Sequence, residues 1–236
     1  MQNQTGMKNR KQLLVIEGLD GSGKATQAAL LSASLSGKGM KVRQVSFPDY
    51  QSDSSALVKM YLAGEFGSRP GDVNAYAAST FYAVDRYASF QKDWAEDYAA
   101  GIIVADRYTT SNAIHQCAKL ERERWDAYLD WLFHFEYKLL GIPEPGMVIY
   151  LRVEPELSQR LMTERYQGHE EKKDIHEKDV QYLLRCQEAA AYCAERLGWK
   201  TVACSRDGEM RTIEDIQSEI AALVEGLLGT EERDRG

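Results

Sequence analysis

Gly18-Leu19-Asp20-Gly21-Ser22-Gly23-Lys24 reads G-x-x-x-x-G-K, and it stands between the apolar run Leu13 to Ile16 and a stretch of helical periodicity. Residue types at that spacing make a phosphate-binding loop. Gly18, Gly21, Ser22 and Gly23 turn backbone N–H groups inward, Lys24 reaches the β- and γ-phosphates, and the following helix offers its positive end. Ala25 takes the place of the usual metal-binding hydroxyl residue and Thr26 comes one position late. A bound triphosphate would therefore hold its Mg²⁺ without a side chain from the residue after the lysine.

Two further clusters follow apolar runs: Phe47-Pro48-Asp49-Tyr50, and Asp106-Arg107-Tyr108. An acid, a guanidinium and a phenol beside a phosphate loop suit phosphoryl transfer, whose loose transition state is stabilised by positioning and by surrounding cations. Asp106 is a candidate to orient Mg²⁺, directly or through water. Arg107 is a candidate clamp for an acceptor phosphate, because its fork of donors matches phosphate geometry.

Tyr82 and Arg86 are four residues apart on one helical face, where a ring could stack on a base while the guanidinium bonds its edge. A core tyrosine beside a surface ion pair fits the same spacing. Asn112, His115 and Gln116, at i, i+3 and i+4, form a polar stripe suited to reading a base. The charged stretch from Arg160 to Lys178 has a central glycine and is either a lid, with Arg160, Arg165, Lys172 and Lys173 swinging over phosphates, or a solvated connection between helices.

These residues need a scaffold that brings strand ends together. Strand-like runs recur at Leu13 to Ile16, Lys41 to Phe47, Gly101 to Ala105, Met147 to Val153 and Lys200 to Cys204, with helical segments between them. Mostly continuous apolar strands alternating with helices predict an α/β fold with a five-stranded parallel sheet flanked by helices. Ligands then collect beyond the carboxyl ends of the strands. The helices expected are one from the loop to Gly37-Lys38-Gly39, one from an Asp72 N-cap to Gly101, an aromatic one from Glu121 to Leu140, one from Glu177 to Leu197, and one from Thr212 to Leu228. Residues 11–228 are expected to form a single domain with a lid at about 160–178, between a flexible N-terminus (1–10) and a flexible tail (229–236).

With 36 acidic and 29 basic residues the net charge is -7, which argues against broad nucleic-acid binding and leaves anionic substrates to a local basic cluster. The four cysteines show no C-x-x-C spacing and are expected to be reduced and mostly buried. No apolar run approaches a membrane span, and the first residues lack the apolar core of a secretory signal; a cytoplasmic location is expected.

From Lys11 to Leu228 the chain resembles the thymidylate kinase family of P-loop nucleoside monophosphate kinases. The resemblance rests on Glu17-Gly-Leu-Asp-Gly-Ser-Gly-Lys24 with Thr26-Gln27, on Phe47-Pro48, on Phe81 to Arg86, on Asp106-Arg107-Tyr108 with Ser111-Asn112, and on Asp174-Ile-His-Glu177. It implies that ATP is the donor with Mg²⁺, dTMP the acceptor, and a homodimer the working form. It further implies that Asp20 sits by the reacting phosphates and helps to organise acceptor and Mg²⁺, directly or through water, that Arg107 binds the acceptor phosphate, and that Tyr82 stacks on thymine while Arg86 bonds its carbonyl edge. Asn112 and His115 fall where the family reads the base and crowds the ribose. Phe47, Pro48, Tyr50 and Gln116 would complete the acceptor site, with Tyr50 where some members carry arginine. Gly21 stands where some members have an arginine after the loop aspartate, which matches the subtype with a lid arginine. That role points to Arg165 as a catalytic cation, with Arg160 in reserve on the ATP side. A kinase for another nucleoside monophosphate and a non-catalytic nucleotide-binding module, the latter motivated by Ala25, are the rival readings.

Overall fold

The computed structural model describes residues 13–154, 157–158, 160–161 and 174–233. The five strands form the expected parallel sheet: β1 (Leu13–Gly18), β2 (Val42–Ser46), β3 (Ile102–Asp106), β4 (Met147–Arg152) and β5 (Lys200–Ala203), in the order β2-β3-β1-β4-β5. All six residues of β1 are buried. Successive side chains of a strand point to opposite faces, so Leu14 and Ile16 join one core while Leu13 and Val15 join another. Covering both faces explains why this strand reads as an unbroken apolar run.

On the first face lie α1 (Lys24–Gly37) and the last helix, α8 (Ile213–Arg233), which supply Ala28, Leu31 and Leu35, and Ile216, Ile220 and Val224. Each of these leucine, isoleucine and valine side chains taken wholly from water contributes about 1.5–3 kcal/mol. α2 (Ala56–Leu62) and α3 (Ala75–Ser89) follow β2. Asn74, not Asp72, caps α3, its side chain accepting from Ala77 N at 2.9 Å; Asp72 instead accepts from Arg69 N at 3.0 Å and closes the short turn Pro70–Asp72. The helical stretch continues to Gly101 as expected, but through a wide π turn, Phe90–Trp94, before α4 (Ala95–Ala100).

α5 (Thr109–Cys117) leaves β3 and packs against α7 (Val180–Arg196), with α6 (Trp125–Phe133) beside it. The aromatic stretch around α6 turns inward: Trp125 and Tyr128 are buried, and a second π turn, His134–Leu139, comes after it. α7 begins at Val180, later than Glu177, because the Asp179 carboxylate accepts from Tyr182 N at 3.0 Å and caps it there. A small antiparallel pair, β6 (Ser205–Arg206) and β7 (Glu209–Met210), precedes α8. Thr212 caps α8 through Asp215 N as expected, and the helix runs beyond Leu228 to Arg233. All four cysteines are free and buried. No helix among the described residues is long and apolar enough to cross a membrane.

Candidate active site

The register of the sheet sets the site. Asp106, at the end of β3, pairs with Ile16 of β1 and Ser46 of β2, so the loops after three strands leave from one level. Between them and α3, α5 and residues 174–177 lies a cleft of about 760 Å³.

At one end is the phosphate loop. Gly23 caps α1 in the left-handed conformation, φ 82°, which a glycine adopts without steric cost. Gly18 is needed for close approach, since a Cβ there would stand 2.5 Å from Ser22 Oγ. Lys24, the first residue of α1, donates to Leu19 O at 2.8 Å and stands 3.9 Å from Asp20 Oδ1. Burial, with Arg107 adding to it, lowers the Lys24 pKa to about 8. Ala25 and Thr26 line the same end.

Arg107 occupies the middle. Its backbone lies in the left-handed region, φ 66°, uncommon for a side chain of this size. Nη2 donates to Asp20 Oδ1 at 2.6 Å, Nη1 donates to Ser111 Oγ at 3.3 Å, and Nη1 lies 3.9 Å from Glu17 Oε1. Burial disfavours its charge, but Asp20 and Glu17 outweigh this and hold its pKa above the ordinary value. Glu17, wholly buried, accepts from Thr110 Oγ1 at 2.6 Å and Ser111 Oγ at 2.9 Å, tying β1 to the start of α5.

The far end is aromatic and polar. Phe47, joined to Pro48 by a cis peptide bond, lies there with Tyr50 and Tyr82. Asp85 of α3 holds the loop after β2 by accepting from Asp49 N at 2.8 Å and Ser54 Oγ at 2.6 Å. Arg86 lines the cleft but is neither a surface residue nor freely presented. It is buried and forms a bidentate pair with Glu136, Nε to Oε2 at 2.7 Å and Nη2 to Oε1 at 2.5 Å. Asn112 and His115 face the cleft with Gln116, whose buried amide has neither atom hydrogen-bonded. Burial, then the charge of Arg107, pushes His115 down to about 3, so it is neutral at physiological pH.

Of the described candidates, Asp20, Gly21, Gly23, Lys24, Ala25, Thr26, Phe47, Pro48, Tyr50, Tyr82, Arg86, Asp106, Arg107, Asn112, His115 and Gln116 line this one cleft. Gly18 and Ser22 are not among its lining residues. Arg160 does not line it; its Nη2 donates to Gly208 O at 3.2 Å and Glu209 Oε1 at 3.3 Å. Arg165 and most of the expected lid lie outside the described residues.

Glu17, Glu136 and the segment Asp174 to Glu177 were not singled out as site residues from the sequence. Asp174 accepts from His176 N and Glu177 N at 2.8 and 2.9 Å, and burial pushes its pKa up to about 6. His176 stacks on His115, ring centroids 5.7 Å apart. Glu17 could have been found as an acid at a strand end before the loop; Glu136 carries no comparable signal.

For Mg²⁺ the candidate donors are Asp20 and Asp106; the buried Oδ1 of Asp106 has no hydrogen-bond partner. Among the described residues no three His, Cys, Asp or Glu side chains gather into a metal cluster. Mg²⁺ typically takes one or two carboxylates and fills its remaining positions with water and substrate phosphates, so this donor set fits it.

A P-loop at one end of a cleft, an aromatic and polar pocket at the other and a strand-end arginine between them, on this five-stranded parallel sheet, are the arrangement of a nucleoside monophosphate kinase fold. A family model described as "Thymidylate kinase" matches residues 16–220. Thymidylate kinase from Mycobacterium tuberculosis is 30% identical over 193 residues, 79% of this chain and 87% of that protein. The Schizosaccharomyces pombe thymidylate kinase is 28% identical over 223 residues, 93% of this chain and 94% of its own length. The solved structure of thymidylate kinase from Candida albicans shares the fold, with a TM-score of 0.67 at 21% identity over 91% of each chain. The chain belongs to the thymidylate kinase family, and it is a phosphotransferase.

Proposed function

We infer that the chain transfers the γ-phosphoryl of ATP to the 5′-phosphate of dTMP, giving ADP and dTDP for dTTP synthesis. The observation that carries this is the continuity of the cleft: Lys24 and Asp20 at one end, Tyr82, Arg86 and Asn112 at the other, Arg107 between them. Lys24 and the loop N–H groups hold the donor phosphates. Arg107 takes the acceptor phosphate, and Asp20 keeps its guanidinium aimed across the loop. An oxygen of the dTMP phosphate attacks the γ-phosphorus while the bond to the β,γ-bridging oxygen breaks, leaving ADP.

Mg²⁺, held by Asp20 and Asp106 with waters and phosphates, would neutralise charge on the transferring group. Arg165 is the proposed lid cation of the transition state. Tyr82 stacks on the base, Phe47, Pro48 and Tyr50 flank the sugar-phosphate, and His115 with Gln116 completes the wall. We place this activity in the cytoplasm and in a homodimer. α3 suits the dimer contact, because its Val84 and Tyr87 are exposed whereas Trp125 and Tyr128 of the aromatic stretch are buried. Light scattering tests the assembly. The reaction is tested by coupled measurement of ADP release with dTMP, dUMP, UMP and dCMP: turnover fastest with dTMP supports it. Faster turnover with another monophosphate would reassign the acceptor, and tight ATP binding without turnover would leave a binding module.

A further inference from the structure

Glu136 does not line the cleft, yet it contacts two polar residues that do, Arg86 and Asn112. It is wholly buried in the π turn after α6. Besides the two bonds from Arg86, its Oε2 accepts from Thr109 Oγ1 at 2.8 Å and its Oε1 from Asn112 Nδ2 at 3.2 Å. A carboxylate paired to a guanidinium accepts hydrogen bonds and donates none. Every group around it must therefore present a donor.

For Asn112 this decides the amide orientation. Its Nδ2 stands against Glu136 Oε1 and also 3.2 Å from Ser79 O, a second acceptor. The flipped amide would set Oδ1 against two oxygens, so Nδ2 stays inward and Oδ1 is left for the cleft. Arg86, with no acceptor atom, offers the cleft only N–H. The pocket thus shows a donor and an acceptor together, in an order imposed from behind the wall.

We propose that Glu136 is a positioning residue that sets the hydrogen-bond polarity of the acceptor-base pocket. Through Arg86 and Asn112 it selects a pyrimidine with a 4-oxo group and an N3–H, and it rejects the reversed edge of a 4-aminopyrimidine. The proposal rests on the dTMP reading of the same cleft. A cytosine ring in that place would set its amino group against Arg86 and its N3 lone pair against Asn112 Oδ1, leaving buried polar groups unpaired, which is the strongest source of discrimination between similar ligands.

The test is the ratio of kcat/KM for dTMP to that for dCMP in wild type, E136Q and E136D. In E136Q one acceptor becomes a donor, so either Arg86 loses a partner or the Asn112 amide is free to turn. The ratio should fall roughly tenfold or more, with KM for ATP unchanged. If E136Q does not fold, E136D carries the test: its charge keeps the Arg86 pair, but the carboxylate, one methylene shorter, cannot serve Arg86 and Asn112 together. The ratio should fall there too. A folded variant in which both substrates lose rate equally, or the ratio stays at the wild-type value, overturns the proposal while leaving the dTMP reading intact. A wild-type chain inactive on dTMP overturns both.

Discussion

Arg107 Nη2 lies 2.6 Å from Asp20 Oδ1, so the acid of the phosphate loop and the guanidinium that follows β3 are joined within the cleft. The pair fixes the arginine in place from a backbone position with positive φ. Glu17 backs it from below at 3.9 Å. Orienting the guanidinium in advance lowers what must be ordered when the acceptor arrives.

Arg107→Lys should therefore damage the acceptor half selectively. Lysine keeps the charge but loses the planar fork. With one or two charge-assisted hydrogen bonds lost, kcat/KM for dTMP should fall roughly ten- to a hundredfold, while KM for ATP holds. Equal rises in both KM values under steady-state assay would instead mean that the loop itself has collapsed.

Arg86→Ala should act on stability before it acts on substrate. It leaves Glu136 buried without its cation, a loss of about 3–5 kcal/mol for a pair of this kind. Urea unfolding should show the midpoint shifted strongly downward. A variant as stable as wild type that has lost only dTMP affinity would show that the guanidinium serves the base and not the fold.

Acid should weaken the fold as pH drops through about 6.5. His115 and His176 both have their pKa lowered by burial, reinforced by Arg107 for the first and by His115 for the second. Below the ordinary histidine value the unfolded chain binds protons that the folded chain refuses, so stability is lost as pH falls. Lys119, lowered to about 7 by burial and bonded to the Tyr61 hydroxyl that also meets His176, has the same sign but a higher window: its contribution is lost as pH falls from the ordinary lysine value to about 7, and is flat below that. Asp174 acts oppositely, but only between its ordinary range and about 6, where the folded chain retains a proton. Between about pH 7.5 and pH 6, His176→Gln should make the loss of melting temperature shallower; an unchanged slope would remove His176 from the account.

Arg165→Ala should lower kcat with little change in either KM, the pattern of a contact made only in the transition state. Arg160→Ala should leave kcat alone, because Arg160 is engaged with the β6–β7 turn. The reverse result would exchange their roles.

Much of the site could be read from the chain because it hangs on strand ends. Asp106 and Arg107 come directly after an apolar run, Lys24 closes the glycine loop that follows another, and a parallel sheet brings such positions to one edge whatever the intervening helices do. Arg86 shows the limit. Helical spacing placed it beside Tyr82 on α3, but its partner Glu136 comes fifty residues later, in a stretch that reads as one aromatic helix. Neither the π turn nor the inward face of α6 leaves a periodic mark, since one extra residue in a turn is invisible to a pattern of apolar positions. The stacking of His115 on His176 is likewise long-range, bringing the turn before α7 onto α5.

The π turn at His134–Leu139 also constrains how this pocket can change over evolutionary time. Such a turn amounts to a single-residue insertion in an α-helix, commonly retained where it serves a site. Point substitution does not erase it; deletion of one residue does, and that rotates the downstream side chains by about a hundred degrees at 3.6 residues per turn. On the proposed role of Glu136, base preference depends on helix length as well as on pocket composition, because losing one residue ahead of Glu136 would turn its carboxylate away from Arg86.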